Sequence, residues 1–135
     1  MRQKITMKDL DSEFYRQLEE ISGQNLMDCY QCGKCSAGCP VAESMDILPN
    51  QIIRLAQLGL LEEALNSKTI WLCASCIICT SRCPKGVDIA KIMEGLRVMI
   101  LRKGVDKVSP SKLSEKVLKE VPQQGLVSFM RKLSS

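Results

Sequence analysis

Cys29-Tyr-Gln-Cys32-Gly-Lys-Cys35-Ser-Ala-Gly-Cys39-Pro40 and Cys73-Ala-Ser-Cys76-Ile-Ile-Cys79-Thr-Ser-Arg-Cys83-Pro84 decide how this chain is read. The same spacing is written twice: two, two and three residues between cysteines, then proline. All 8 cysteines are used. This is the bacterial-type ligand run for a [4Fe–4S] cubane, and its repetition predicts two clusters. A zinc site would use two separate Cys-x-x-Cys pairs and needs neither the third cysteine nor the proline.

The run also predicts connectivity. Three cysteines at close intervals hold three corners of a cubane, and the fourth points away along the next segment. In two-cluster ferredoxins that fourth residue ligates the other cluster. Cys29, Cys32, Cys35 and Cys83 are therefore assigned to cluster 1, and Cys73, Cys76, Cys79 and Cys39 to cluster 2. The crossing ties the two halves together, so the metal-free chain should fold poorly. Small residues among the first four cysteines, Gly33, Ala37 and Gly38, let backbone N–H groups approach sulfur. Ile77 and Ile78 fill the second run, which predicts a drier cluster 2.

The composition of the 135 residues narrows the chemistry. Histidine is absent, which removes the commonest general base and the commonest zinc partner of cysteine. The formal charge of +4 is nearly cancelled by two oxidised cubanes of roughly −2 each. A nucleic-acid reading from charge loses its force, and no basic block carries interleaved aromatics. No apolar run approaches a membrane span; the longest candidate, Val98 to Leu101, runs into Arg102 and Lys103. The charged N-terminus has no apolar core or cleavage site after it. These features predict a cytoplasmic protein, where dense cysteine means metal rather than disulfides.

Between the runs the apolar period is helical, and no strand period is convincing, so the expected class is all-α. A helix from Ser12, capped there or at Asp11, places Phe14, Leu18 and Ile21 on one face and ends at Gly23. Pro49 opens a second helix with Ile52, Ile53, Leu55, Ala56 and Leu58, interrupted at Gly59; Leu60 to Leu65 is a third. Asp88 caps a helix whose apolar side is Ile89, Ile92, Met93, Leu96, Met99 and Ile100, with Lys91, Glu94, Arg97 and Arg102 opposite and Gly104 at its end. Ser109-Pro110 opens a last helix bearing Leu113, Val117, Leu118 and Val121; Pro122 and Gly125 break it. The apolar tail from Leu126 is either a partner-docking segment or a final helical turn on the chain's own core. The predicted organisation is an arm and helix over 1–25, a two-cluster domain over 26–107, and a helix and tail over 108–135.

No residue is singled out as catalytic. Four thiolates per cluster leave no open iron for a substrate, so both clusters read as one-electron relays. Glu43, Asp46, Glu62 and Glu63 read as solvated polar positions, as do Lys34, Arg82 and Lys85 beside the runs. The Met residues read as gap-filling core.

The filling of the runs, together with Leu48-Pro-Asn-Gln-Ile-Ile-Arg54, Trp71-Leu-Cys-Ala-Ser-Cys76 and Cys83-Pro-Lys-Gly-Val-Asp-Ile89, resembles the C subunit of heterodisulfide reductase over about residues 28–104. The resemblance implies an α-helical ferredoxin fold with two cubane clusters between helices. It also implies a non-catalytic relay in an oxidoreductase complex. The expected partners are the flavin-containing, electron-bifurcating A subunit and the cysteine-rich catalytic B subunit, which reduces a disulfide. In methanogens that disulfide joins coenzyme M and coenzyme B, but substrate does not transfer with fold. The alternative is the iron–sulfur subunit of another dehydrogenase, of succinate or glycerol-3-phosphate type, passing electrons toward quinone. A free-standing ferredoxin and a zinc scaffold are weaker readings, and the zinc protein would be colourless rather than brown.

Overall fold

Apolar residues at helical spacing, punctuated by glycine and proline, give a chain of short helices. A computed structural model describes residues 13–134, and among them every regular element is helical. The expected arm and the caps at Asp11 and Ser12 lie outside the described residues. The elements are α1 (Glu13–Ser22), α2 (Lys34–Ala37), α3 (Pro49–Gln57), α4 (Leu61–Asn66), α5 (Thr69–Leu72), α6 (Ile78–Arg82), α7 (Ile89–Leu101), α8 (Glu115–Glu120) and α9 (Gln123–Leu133). Single 3₁₀ turns occur at Leu26–Asp28, Ala42–Ser44 and Pro110–Lys112. The chain divides into two compact units at Leu96/Arg97, within α7.

In the first unit, Leu18, Leu26, Ile52, Ile53, Ile70, Ile92, Met93 and Leu96 are fully buried. Each contributes on the order of 1.5–3 kcal/mol. The buried face of α1 is Tyr15, Leu18 and Ser22 rather than Phe14, Leu18 and Ile21, and Phe14 is exposed. The helix is turned this way by two sets of contacts. Glu19 accepts from Tyr15 Oη (2.9 Å) and from the backbone N–H of Leu26 (3.0 Å), fastening this face to the turn before Cys29. Gly95 of α7 leaves room for Leu18 and Ser22, with Leu18 Cδ1 only 3.0 Å from where a Cβ would stand.

Pro49 starts α3, and Gln51 Oε1 accepts from Leu48 N–H (2.9 Å) to close its first turn. Ile52, Ile53 and Ala56 face the core as the period predicts. Asp88 caps α7 through the Lys91 N–H (3.2 Å). Arg97 departs from expectation: it is 5% exposed rather than solvated. An arginine can lie this way because its aliphatic stem packs like a hydrophobic side chain.

In the second unit, the helix expected from Ser109-Pro110 is only a 3₁₀ turn. The helix starts later because Ser114 Oγ accepts from Val117 N–H (3.4 Å). Its apolar residues Val117 and Leu118 are exposed, as is Val121 just beyond its end. The expected break at Pro122 and Gly125 is instead the start of α9. Proline lacks the N–H that a helix's first residues cannot use, its carbonyl accepts from Leu126 N–H (3.0 Å), and Gly125 is carried inside the helix. Leu133 is buried, and its carbonyl takes the N–H groups of Lys107 and Val108 (2.9 and 3.3 Å). The tail is therefore about three turns of helix rather than a loose end.

Candidate functional site

The two cysteine runs adopt the same backbone. Gln31 and Gly33 have φ of 62° and 75°; their counterparts Ser75 and Ile77 have 53° and 57°. Left-handed residues interleaved between ligands turn N–H groups inward into a concave nest, which suits an anionic cluster. Ile77 holds this conformation despite its β-branch, where the first run uses glycine. After the second cysteine interval each run turns into a short helix, α2 or α6, and the two helices pack on each other.

One cavity gathers four cysteines from both halves of the chain: Cys73, Cys76 and Cys79 line it together with Cys39. It holds ≈ 380 Å³ of non-atom space, its open mouth included. Apolar residues, among them Met45, Ile89 and Met93, complete the wall. On the other side, Cys83 stands close enough to Cys29 for its charge to act on it, as does Cys32. Cys39 thus lies with the second run, and Cys83 beside the first. Among the described residues no three Cys, Asp or Glu side chains converge closely enough to hold a single metal ion. A tetrahedral zinc needs four sulfurs about 2.3 Å from one point. A cubane carries its irons at separate corners and takes thiolates spread around a cavity, and the cavity of the second run has that form.

None of the cysteines is paired in a disulfide. Burial pushes the Cys29, Cys35 and Cys79 thiols up from their ordinary value, so iron must displace protons that burial retains. Cys32 goes the other way, chiefly because the Lys34 backbone N–H donates to it. Cys79 is also raised, to a lesser degree, by the nearby charges of Cys73 and Cys35. Cys35 and Cys79, one from each group, therefore approach each other at the α2–α6 contact. Cys32 and Cys76 are the exposed members of their groups.

Behind an apolar cavity wall, the mouth of the second site is open: Ala74, Ser75, Cys76, Ile77 and Ile78 are all exposed, Ile77 at 62%. The left-handed backbone of Ile77 turns the side chain outward at the cavity's rim. Arg82 is more than a solvated charge: its Cδ and Nε occupy the space a Gly38 Cβ would need, and its Nε donates to the Lys34 carbonyl (3.2 Å). Only glycine at 38 leaves room for that stem. Asp46 likewise does more than face solvent. It accepts from the N–H groups of Lys68 (2.8 Å) and Thr69 (3.0 Å) and from Thr69 Oγ1 (2.8 Å), capping α5 across the chain just before Cys73. Those donors, led by the Lys68 N–H, hold its carboxyl at about 2.

Several supporting residues escape sequence reasoning. Gln57 is buried and donates from Nε2 to the carbonyls of Leu26 and Cys29 (both 2.8 Å), anchoring the start of the first run to α3. Gln31 Nε2 donates to Cys29 Sγ (3.5 Å). Ser36 and Thr80 each follow the third cysteine of a run, with hydroxyls 3.9 Å and 4.0 Å from its sulfur. That repeated hydroxyl is a signal the sequence does carry.

Residues 25–87 match the family model of a 4Fe-4S dicluster domain. The chain is similar to the C subunit of the H₂:CoB–CoM heterodisulfide,ferredoxin reductase of Methanothermobacter marburgensis, 35% identical over 90 residues, 67% of this chain and 49% of the relative. It is 32% identical over 108 residues to the iron–sulfur C subunit of the CoB–CoM heterodisulfide reductase of Methanopyrus kandleri, 74% of this chain and 56% of the relative. It is 33% identical over 123 residues to the second iron–sulfur C subunit of the CoB–CoM heterodisulfide reductase of Methanocaldococcus jannaschii, 85% of this chain and 66% of the relative. The chain spans about half the length of the first two relatives.

Proposed function

Because the chain belongs to the family of heterodisulfide reductase C subunits and takes two [4Fe–4S] clusters, we propose that it is the electron-relay subunit of a cytoplasmic heterodisulfide reductase-like complex. Its partners are a flavin-containing subunit that donates electrons and a cysteine-rich catalytic subunit that reduces a disulfide. Cys29, Cys32, Cys35 and Cys83 hold one cluster, and Cys73, Cys76, Cys79 and Cys39 the other. The two-cluster domain runs over 26–107, and residues 108–135 are available to a partner subunit.

The observation that carries this reading is the crossed grouping, with Cys39 in the cavity of the second run and Cys83 beside the first. The clusters supply reversible one-electron storage. The chain's residues do the rest. Eight thiolates fill the cluster corners and leave no position for a substrate, so no acid or base is needed in this chain. Cys35 and Cys79 bring the two sites together at the α2–α6 contact, while Cys32 and Cys76 bring each site to the surface. Short distance inside and exposure at each end are what a relay requires. Among the described residues no helix is long and apolar enough to cross a membrane.

Anaerobic purification of the tagged chain from its native cells tests the assignment. The expected product is brown, carries about eight iron atoms per chain, and brings down a flavoprotein and a cysteine-rich subunit. A quinone-linked membrane dehydrogenase in their place would replace this reading. Zinc without iron would end it.

A further inference from the structure

The two sites share a backbone but differ in what stands behind their sulfurs. Behind the first is a chain of neutral amides and a hydroxyl. Gln31 Nε2 donates to Cys29 Sγ (3.5 Å), and Gln31 Oε1 accepts from Asn50 Nδ2 (3.4 Å). Asn50 Oδ1 accepts from the Ser36 hydroxyl (2.5 Å), and Asn50 N–H donates back to Ser36 Oγ (3.1 Å). Ser36 Oγ lies 3.9 Å from Cys35 Sγ, so the network links two ligands of one cluster. Behind the second, the hydroxyl in the equivalent place meets a carboxylate instead. Thr80 Oγ1, 4.0 Å from Cys79 Sγ, donates to Asp88 Oδ1 (2.9 Å). In both places the hydroxyl gives its proton to an oxygen, Asn50 Oδ1 or Asp88 Oδ1, but Asp88 alone sets a negative charge one hydroxyl away from the ligand sulfur.

We propose that this difference sets the two clusters at different reduction potentials. The Cys29, Cys32, Cys35 and Cys83 site is the higher and the Cys73, Cys76, Cys79 and Cys39 site the lower, with Gln31 and Asp88 as the residues that separate them. The proposal rests on the cluster assignment above. Reduction adds one negative charge to a cluster. An N–H aimed at a ligand sulfur stabilises that charge, and a carboxylate one hydroxyl away opposes it. Exchange between the sites moves one electron, with no bond or proton transferred, so a single electron settles on the Cys29 side.

The other charges nearby do not cancel the difference. Lys91 Nζ is 4.0 Å from Asp88 Oδ2, but its side chain is 61% exposed against 18% for Asp88, so solvent screens it more. Asp28, next to Cys29, is exposed and bound back by Asn25 Nδ2 (3.3 Å), so solvent screens it. Lys34 lies on the first site and favours its reduction further. Arg82 ends the second run's helix before Cys83 and lies over Gly38, next to Cys39, so it stands beside one ligand of each site and does not single out either.

Redox titration of the anaerobic holoprotein, followed by electron paramagnetic resonance, tests this. The expected result is two midpoints. Asp88→Asn keeps an N-cap side chain for α7 and should raise the lower midpoint by about tenfold in the reduction equilibrium, about 59 mV for one electron, without moving the upper. Asn50→Asp is the mirror experiment and should lower the upper midpoint alone. Two midpoints that ignore Asp88→Asn, or an upper midpoint that follows it, would overturn the proposal; a loss of thermal stability without a shift would do the same and leave Asp88 a helix cap only. About eight irons with a single shared midpoint would sink the proposal alone. Fewer irons would bring down the cluster assignment as well.

Discussion

Asp46 is one carboxylate that joins two distant stretches of the chain. Its three donors sit at the start of α5, the segment that delivers Cys73. An Asp46→Ala variant should lose about 1 kcal/mol of stability, the usual value of a helix cap, read as an earlier urea midpoint for loss of cluster colour. Its pH dependence has a definite sign. The folded carboxyl titrates at about 2 against an ordinary 3.8, so the stabilisation is present in full above that ordinary value. It is lost as pH falls through about 2. Acid bleaching of wild type and variant should therefore differ most above pH 3.8 and converge as pH falls from there to about 2. A constant difference across that range would show that Asp46 acts by packing and not by charge. At the same scale, Gly38 is needed for the room it leaves Arg82, not for its backbone freedom.

At the scale of the element, the two cysteine loops are one conformation carried by two sequences. The position before the helix of the third cysteine is left-handed in both, Gly33 in the first and Ile77 in the second. A β-branched residue there costs about 1–2 kcal/mol that glycine does not. Ile77→Gly should accordingly stabilise the holoprotein by about 1 kcal/mol. Gly33→Ile should cost at least as much, although nothing lies within 4 Å of a Cβ at that position. Anaerobic denaturant titration of the two variants is the check. If Ile77→Gly destabilises, the exposed side chain has a packing role in the isolated chain that outweighs its strain. Retaining a strained, outward-facing isoleucine at the mouth of the second site is the pattern of local strain kept where a function needs it.

At the scale of the molecule, the proposed ligand assignment makes each cluster a cross-link between distant segments. Helices of four to six residues, such as α2, α4, α5 and α6, do not hold their shape by propensity. On that assignment they are held by α3, α7 and the clusters. Cys39→Ala should therefore lower iron at both sites, and not only at the second, because the first run must be correctly placed for Cys39 to cross over. Iron analysis with absorption spectra gives the answer. A variant that keeps the four irons of the second run and loses those of the first would reverse the ligand assignment. Chelation of the iron should unfold residues 26–96 cooperatively, visible as a loss of helical circular dichroism.

The amino-acid sequence by itself determined the cofactor and the helical class, and its spacing is the source of the cysteine grouping proposed above. Cysteine spacing, proline and the 3.6-residue period are local signals, and they survive without knowledge of any partner segment. Pro49, Asp88, Gly23 and Gly104 could be read as helix ends for the same reason. What only the tertiary structure decided involves residues that meet across the chain. The face of α1 was turned by Glu19 and Gly95, Asp46 found its donors at Lys68 and Thr69, and Arg82 found its room at Gly38. The burial of Arg97 and the outward turn of Ile77 belong with these. The difference between the two sites was likewise invisible in the spacing. It arises because Ser36 reaches an amide and Thr80 a carboxylate, and a hydrogen bond's partner is chosen by where the fold places it.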